Sequence, residues 1–311
     1  MIQPLRTLAA CGCAFALAMA ISCSSAPKKS DSVITMKTQA AQDYTYGESY
    51  YRQGRYELAL QFLTLSLSEY TSVDDAEGII ATYNSIGKTY MATGSLDMAE
   101  DILLKARARA REASQALLFD SSINLGELYL ARADAQQALS IFEEALAMPE
   151  KARTQAQTAV LYHDMGTAQK NLGDAAKALA YYAQSLQINL AQKLAAEAAS
   201  DYYMIASVHS LAGRYDDAAK NAGLALAFDK QIENSPGIAK DLFALGLIAA
   251  KRGDTAAAYD YFQRSYLVYT TLGFKSEMKK ALTQLIAAAD TLGRSAEAET
   301  YRTTLADLGS P

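Results

Sequence analysis

Tyr83-Asn84-Ser85-Ile86-Gly87-Lys88-Thr89-Tyr90, followed twelve residues after the glycine by Ala99, is the stretch from which the rest of the chain is read. Its glycine recurs: Gly47, Gly87, Gly126, Gly166, Ala206 and Gly246 are spaced by 40, 39, 40, 40 and 40 residues. Its alanine recurs twelve residues later each time, at Ala59, Ala99, Ala138, Ala178, Ala218 and Ala258, and Ala298 extends that series by another 40. A third series, seven residues after the first, runs Gly54, Gly94, Ala133, Gly173, Gly213, Gly253 and Gly293. Self-similarity at a fixed period of this size marks a repeat architecture.

Each series has a physical reading. Two antiparallel helices approach closely only where one of them contributes a side chain of near-zero size. The first series falls midway through one helix and the second midway through the next. The third falls between them, where a helix ends on a residue able to take positive φ. Ser95, Asp174 and Asp254 follow such glycines and are N-cap candidates for the second helix. Large apolar residues fill the gaps: Tyr50, Tyr90 and Tyr129 three residues after the first series, and Leu63, Leu103, Phe142, Tyr182 and Phe262 four after the alanine. The internal prolines, Pro149 and Pro236, are placed between repeats. No apolar stretch alternates with period two, so no strands are expected.

These residues resemble the tetratricopeptide repeat signature: an aromatic, an aliphatic before the glycine, a tyrosine three after it, then the alanine. Leu125-Gly126 with Tyr129, Ala138 and Phe142 matches it again, as does Leu245-Gly246 with Ala258 and Phe262. The resemblance covers about residues 40–308. It departs from the common repeat of the family, which is about six residues shorter, and lacks most of the closing prolines. It implies an all-α, right-handed superhelical solenoid of about seven antiparallel helix pairs. Their frames lie near 40–79, 80–118, 119–158, 159–198, 199–238, 239–278 and 279–311. The last frame reads as a cap, because Ile286 and Arg302 stand where the others carry a small and a large apolar residue.

Composition agrees with helices packed backbone to backbone, since alanine supplies 60 of 311 residues. With 29 Lys plus Arg against 34 Asp plus Glu, the net charge of −5 does not suit a nucleic-acid partner.

The start of the chain reads as an address. Arg6 precedes an apolar run, Leu8 to Ile21, whose fourteen residues are too few to span roughly 30 Å of hydrocarbon. This fits a secretory signal over residues 1–22. Ala20-Ile21-Ser22-Cys23 resembles a relaxed bacterial lipobox, with Ala20 where leucine is usual. The resemblance implies lipidation, palmitate included, at Cys23 and a membrane anchor there. Residues 23–36 then form a tether and 37–311 the solenoid. Cys11 and Cys13 fall inside the signal, so the mature body has no thiol for a disulfide, a zinc cluster or a nucleophile. In the sorting pattern of the enterobacterial lipoproteins that this start resembles, Ser24 rather than aspartate after the cysteine implies the outer membrane; the expected side is the periplasmic one.

Catalytic constellations are missing. His163 and His209 are 46 residues apart and have no metal-ligand spacing partner. His209 takes the slot of Tyr50, Tyr90 and Tyr129 and reads as a packed side chain. Glu143-Glu144 and Asp216-Asp217 are adjacent on helices and do not face one substrate. Lys105, Arg107, Arg109 and Arg111 spray around their helix and read as a solvated face. No enzyme, metal or cofactor is therefore expected.

What remains is the concave face, which the resemblance assigns to the first helix of each pair. Carried over, its positions include Tyr44, Tyr51 and Arg52 in the first frame, and Asn84, Lys88 and Met91 in the second. The third gives Glu127 and Leu130; the fourth gives His163, Lys170 and Asn171; the fifth and sixth give Tyr203, Phe243 and Lys251. Aromatic anchors flanked by polar groups suit a protein or peptide partner. The Lys/Asn set with which some members clamp a C-terminal carboxylate is not reproduced. The expected function is a lipid-anchored envelope scaffold; the alternative is a surface adhesin or a small-ligand cup serving a transport system.

Overall fold

A computed structural model describes residues 35–309. The signal of residues 1–22, Cys23 and nearly all of the tether lie outside the described residues. Within them the chain is helical, with no strand. The first helix of each pair is α1 (Met36–Arg52), α3 (Ala76–Ala92), α5 (Gln115–Ala131), α7 (Gln155–Asn171), α9 (Ala195–Leu211), α11 (Ser235–Lys251) and α13 (Lys275–Thr291). The second is α2 (Tyr56–Ser72), α4 (Leu96–Ala113), α6 (Ala135–Leu146), α8 (Ala175–Ala191), α10 (Tyr215–Gln231), α12 (Thr255–Leu272) and α14 (Ser295–Asp307).

The pairs begin about four residues before the predicted frames, because the third series sits at the middle turn of each pair. Helix starts fall at 20-residue steps, with a single step of 19 from Leu96 to Gln115. The 40-residue period is thus two nearly equal halves. In the first half the chain turns through the third series, all seven members of which have positive φ, Ala133 included at 60°. In the second half Asp74, Lys193, Glu233 and Gly273 do the same job at φ 52°, 60°, 54° and 71°. Both turns close identically: Arg55 N donates to Tyr50 O at 2.9 Å, and Asp75 N to Tyr70 O at 3.0 Å. The 19-residue step arises where Ser114, in an extended conformation, ends α4 and caps α5 by accepting from Leu117 N. One residue does the work of three.

Two sequence expectations need correction. Pro236 lies inside the first turn of α11, not between repeats; there its missing N–H has no helical partner to lose. Asp174 and Asp254 cap their helices, but Ser95 makes no side-chain cap bond.

The crossings are built as the glycines and alanines require. All seven alanines of the second series are fully buried. A Cβ on Gly47, Gly87, Gly126, Gly166 or Gly246 would come within 2.8 Å of Leu63, Leu103, Phe142, Tyr182 or Phe262 respectively, sixteen residues on. Small and large residues therefore face each other inside one pair. The fifth pair proves the rule by exception: Ala206 replaces glycine there, and its partner position holds only Ala222. In the last pair Ile286 and Arg302 leave the scheme; Arg302 grips Asp290 through Nη2 at 2.8 and 2.6 Å on an exposed face.

Odd-numbered helices also touch the next odd-numbered helix from α1 to α9, while even-numbered ones make no comparable contact. Closer spacing on one side curves a stack toward that side. The odd helices therefore form the inner layer.

Candidate functional site

The inner layer carries the predicted positions unevenly. Met91 and Leu130 pack against the core of the second and third pairs, and Phe243 packs its ring 5.5 Å from Phe262. These three serve the fold. Arg52, Asn171 and Lys251 stand exposed at the ends of their helices, and Tyr51 lies half-buried with its ring 5.8 Å from Tyr56.

Tyr44, Asn84, Lys88 and Glu127 are brought together. They line a cavity of about 390 Å³ between α1, α3, α5 and α7. Tyr44 and Ser85 share a hydrogen bond at 3.1 Å, tying α1 to α3. Asn84 donates from Nδ2 to Ser121 Oγ at 3.1 Å, tying α3 to α5. At the start of α7, Thr154 and Gln157 form a capping box. This holds the Gln157 carboxamide so that its Nε2 donates to Asp120 Oδ1 at 2.5 Å. Burial raises the Asp120 carboxyl above its ordinary pKa, against the Gln157 bond and the Lys88 charge. Burial raises Glu127 likewise, with Lys88 again opposing. Asp164 on α7 is pushed well up by burial and then by the Glu127 charge. One lysine thus serves two carboxyls on the cavity wall, Asp120 and Glu127.

Further along, Lys240 Nζ lies 3.8 Å above the Tyr203 ring, a cation–π contact. Lys170 and Lys240 are both lowered by burial among protein groups, and Lys240 further depresses Lys170. The inner face therefore changes sign along its length, from carboxyls on α5 and α7 to lysines on α7 and α11.

His163 does not open onto the groove as a free side chain. Its Nδ1 pairs with Asp201 at 2.7 Å, and Asp201 also accepts from Ser185 Oγ at 2.9 Å and Asn189 Nδ2 at 2.8 Å. The buried Asp201 is fully satisfied. His209 is half-buried; its Nδ1 accepts from Arg214 Nε at 2.9 Å, and burial lowers its pKa. In the basic run, Arg107 is not solvated as expected: it donates to Ser122 Oγ at 3.1 Å and to Glu144 Oε2 at 2.5 Å, joining three helices.

Asp120, Asp164 and Lys240 were not singled out from sequence. Asp120 and Lys240 occupy the second position of their frames, one of the positions the resemblance assigns to the groove. Asp164 has no such signal; only its burial beside Glu127 reveals it.

The family model described as tetratricopeptide repeat matches residues 38–112, 78–151 and 117–191. The chain belongs to the tetratricopeptide repeat proteins. Solved structures of the same fold include the apo quorum sensor NprR from B. thuringiensis, 20% identical, covering 89% of this chain and 78% of that one, with a TM-score of 0.69. Aspartyl phosphate phosphatase F from Bacillus subtilis is 13% identical over 89% and 71% of the two chains, with a TM-score of 0.66. A Rap protein complexed with competence and sporulation factor is 14% identical over 88% and 75%, with a TM-score of 0.65. A comparison with curated proteins finds no match.

Proposed function

We propose that this tetratricopeptide repeat protein is a non-enzymatic scaffold, lipid-anchored through Cys23 in a bacterial envelope, whose inner face binds a protein or peptide. The observation that carries the binding reading is the inner face itself. Polar and charged side chains from four successive odd helices converge on one cavity, with more carboxyl groups than the chain's own cations balance. One protein of the same fold is named as a quorum sensor and another is complexed with competence and sporulation factor. The anchor is supported by the sequence from Leu8 to Cys23, and the outer membrane by Ser24. Among the described residues no helix is long and apolar enough to cross a membrane.

A small-ligand cup is the second reading. A cavity of about 390 Å³ favours it, lying within the range of small-molecule sites.

One experiment tests both halves of the proposal. The full chain, tagged at its C-terminus, is purified from envelope extracts of bacterial cells. The N-terminal fragment is expected to begin at Cys23 with an acyl mass, and a protein or peptide is expected to co-purify. Tyr44→Ala with Lys240→Ala, on α1 and α11 of the inner face, is expected to cut that partner's yield at least fivefold. An unmodified terminus elsewhere removes the anchor; an undiminished partner in the double variant removes the inner face.

A further inference from the structure

The cavity between α1, α3, α5 and α7 is short of one kind of group. Asn84 is 7% exposed, spends Nδ2 on Ser121, and leaves Oδ1 with no hydrogen-bond partner. The orphaned atom is an acceptor. Asp120 and Glu127 lie on the same wall and share a single cation, Lys88. A buried acceptor without a donor costs about 1–3 kcal/mol, so such atoms are rarely left idle. The tetratricopeptide fold does not demand this pair of groups: at the position of Asp120 the other frames carry Ala41, Ala81, Val160, Ser200, Lys240 and Lys280, and at that of Glu127 they carry Glu48, Lys88, Thr167, Ser207, Leu247 and Ala287, so the two acids occur together in the third frame alone. What this place lacks is a positively charged donor with several N–H groups.

We propose that the cavity walled by Asn84, Asp120 and Glu127 is a subsite for a cationic nitrogen, a primary ammonium or a guanidinium, carried by the bound peptide. A primary ammonium brings three donors and a guanidinium five, enough to serve Asn84 Oδ1 and the carboxylates together. The nitrogen comes either from the peptide's own amino terminus or from a lysine or arginine side chain. Lys88 marks the boundary of the subsite, repelling a second cation from the α3 side. The inference rests on the reading of the inner face as a peptide-binding surface and adds its chemical selectivity.

The test uses an equimolar mixture of random hexapeptides, prepared with free and with acetylated amino termini, equilibrated with the full chain and sequenced by mass spectrometry after capture. Glu127→Gln and Asp120→Asn, which keep side-chain shape, are run in parallel, with thermal melts to show that they fold. Captured peptides are expected to be enriched at least tenfold in arginine or lysine, or in free amino termini; the first identifies a side chain as the source and the second the terminus. Both variants are expected to lose that enrichment while still capturing neutral peptides. Capture by the wild type without preference for a cation, or a preference that survives both variants, overturns the subsite but leaves the peptide reading standing. No capture of any hexapeptide overturns the subsite and the peptide reading together.

Discussion

Alanine in place of Gly126 is expected to destabilise the protein by about 1–2 kcal/mol, whereas alanine in place of Gly223 is expected to stabilise it by about 1 kcal/mol. Both glycines lie inside helices, α5 and α10, so the intrinsic gain of roughly 1 kcal/mol from replacing a helical glycine is common to both. The surroundings differ. A Cβ on Gly126 would stand 2.2 Å from Phe142 Cε1, and the Phe142 ring is fully buried with nowhere to go. A Cβ on Gly223 meets nothing within 4 Å. Overpacking of about 1–3 kcal/mol outweighs helix propensity at the first site and is absent at the second. Phe142→Ala alone is expected to cost about 3–5 kcal/mol through the cavity it leaves. In that background Gly126→Ala is expected to become neutral or favourable, giving a coupling of about 1–3 kcal/mol. The fifth pair already contains that double change as Ala206 and Ala222. Chemical denaturation of the four variants checks it, and simple additivity would sink the reading of a small residue set against a large one.

Asp229→Asn is expected to stabilise the protein by about 2 kcal/mol at pH 8 and to do little at pH 4. The repeats themselves supply the comparison. Asp201 and Asp241 are equivalent positions, 40 residues apart. Around Asp201 stand His163, Ser185 and Asn189, all hydrogen-bonded to it. The equivalents around Asp241 are Tyr203, Ala225 and Asp229, so a donor amide has become a second carboxyl. Asp241 is 2% exposed, and its Oδ2 has no partner. Burial first, and then the charge and hydrogen bond of Asp229, push its pKa up to about 8 from an ordinary 3.8; Lys240 opposes the rise. A raised folded-state value means that the folded protein holds a proton which the unfolded chain gives up. Unfolding is therefore favoured progressively as pH rises from about 4, and the loss is complete above about 8. An asparagine at 229 restores the donor that Asn189 gives Asp201, lowering the Asp241 value and flattening this slope. Melting curves across pH 4–9 check it; parallel profiles for the variant and the wild type would refute the role given to Asp229 in raising Asp241.

The two cases show what a one-dimensional reading delivers. The crossings were legible because a close approach tolerates so few side chains: only Gly or Ala fits opposite Phe142 or Leu103, and only such residues recur. The middle turns were legible for the same reason at Gly54, Gly94 and Gly173. The turns between pairs were not, because Asp74, Lys193 and Glu233 take positive φ with side chains that announce nothing. The shared position rule placed Tyr44, Asn84, Lys88 and Glu127 on one cavity but could not tell them from Met91, Leu130 and Phe243, which point to the core. Orientation about a helix axis separates the two groups, and a shift of about four residues in frame is a full helical turn. Asp164 became visible only through its neighbour on another helix. Charge balance in a groove is a property of residues some 40 apart, so it is written in the sequence but not in any local window of it.

The central claim is that the layer of odd helices is the binding surface, and lysine footprinting tests it most directly. Acetylation of the protein with and without its co-purified partner is read lysine by lysine by mass spectrometry. Lys88, Lys170 and Lys240, on α3, α7 and α11, are expected to lose at least half their labelling when the partner is bound, while Lys105, Lys177, Lys220 and Lys230, on α4, α8 and α10, keep theirs. Protection of the even-helix lysines with the first three unchanged would place the partner on the outer layer and contradict the account.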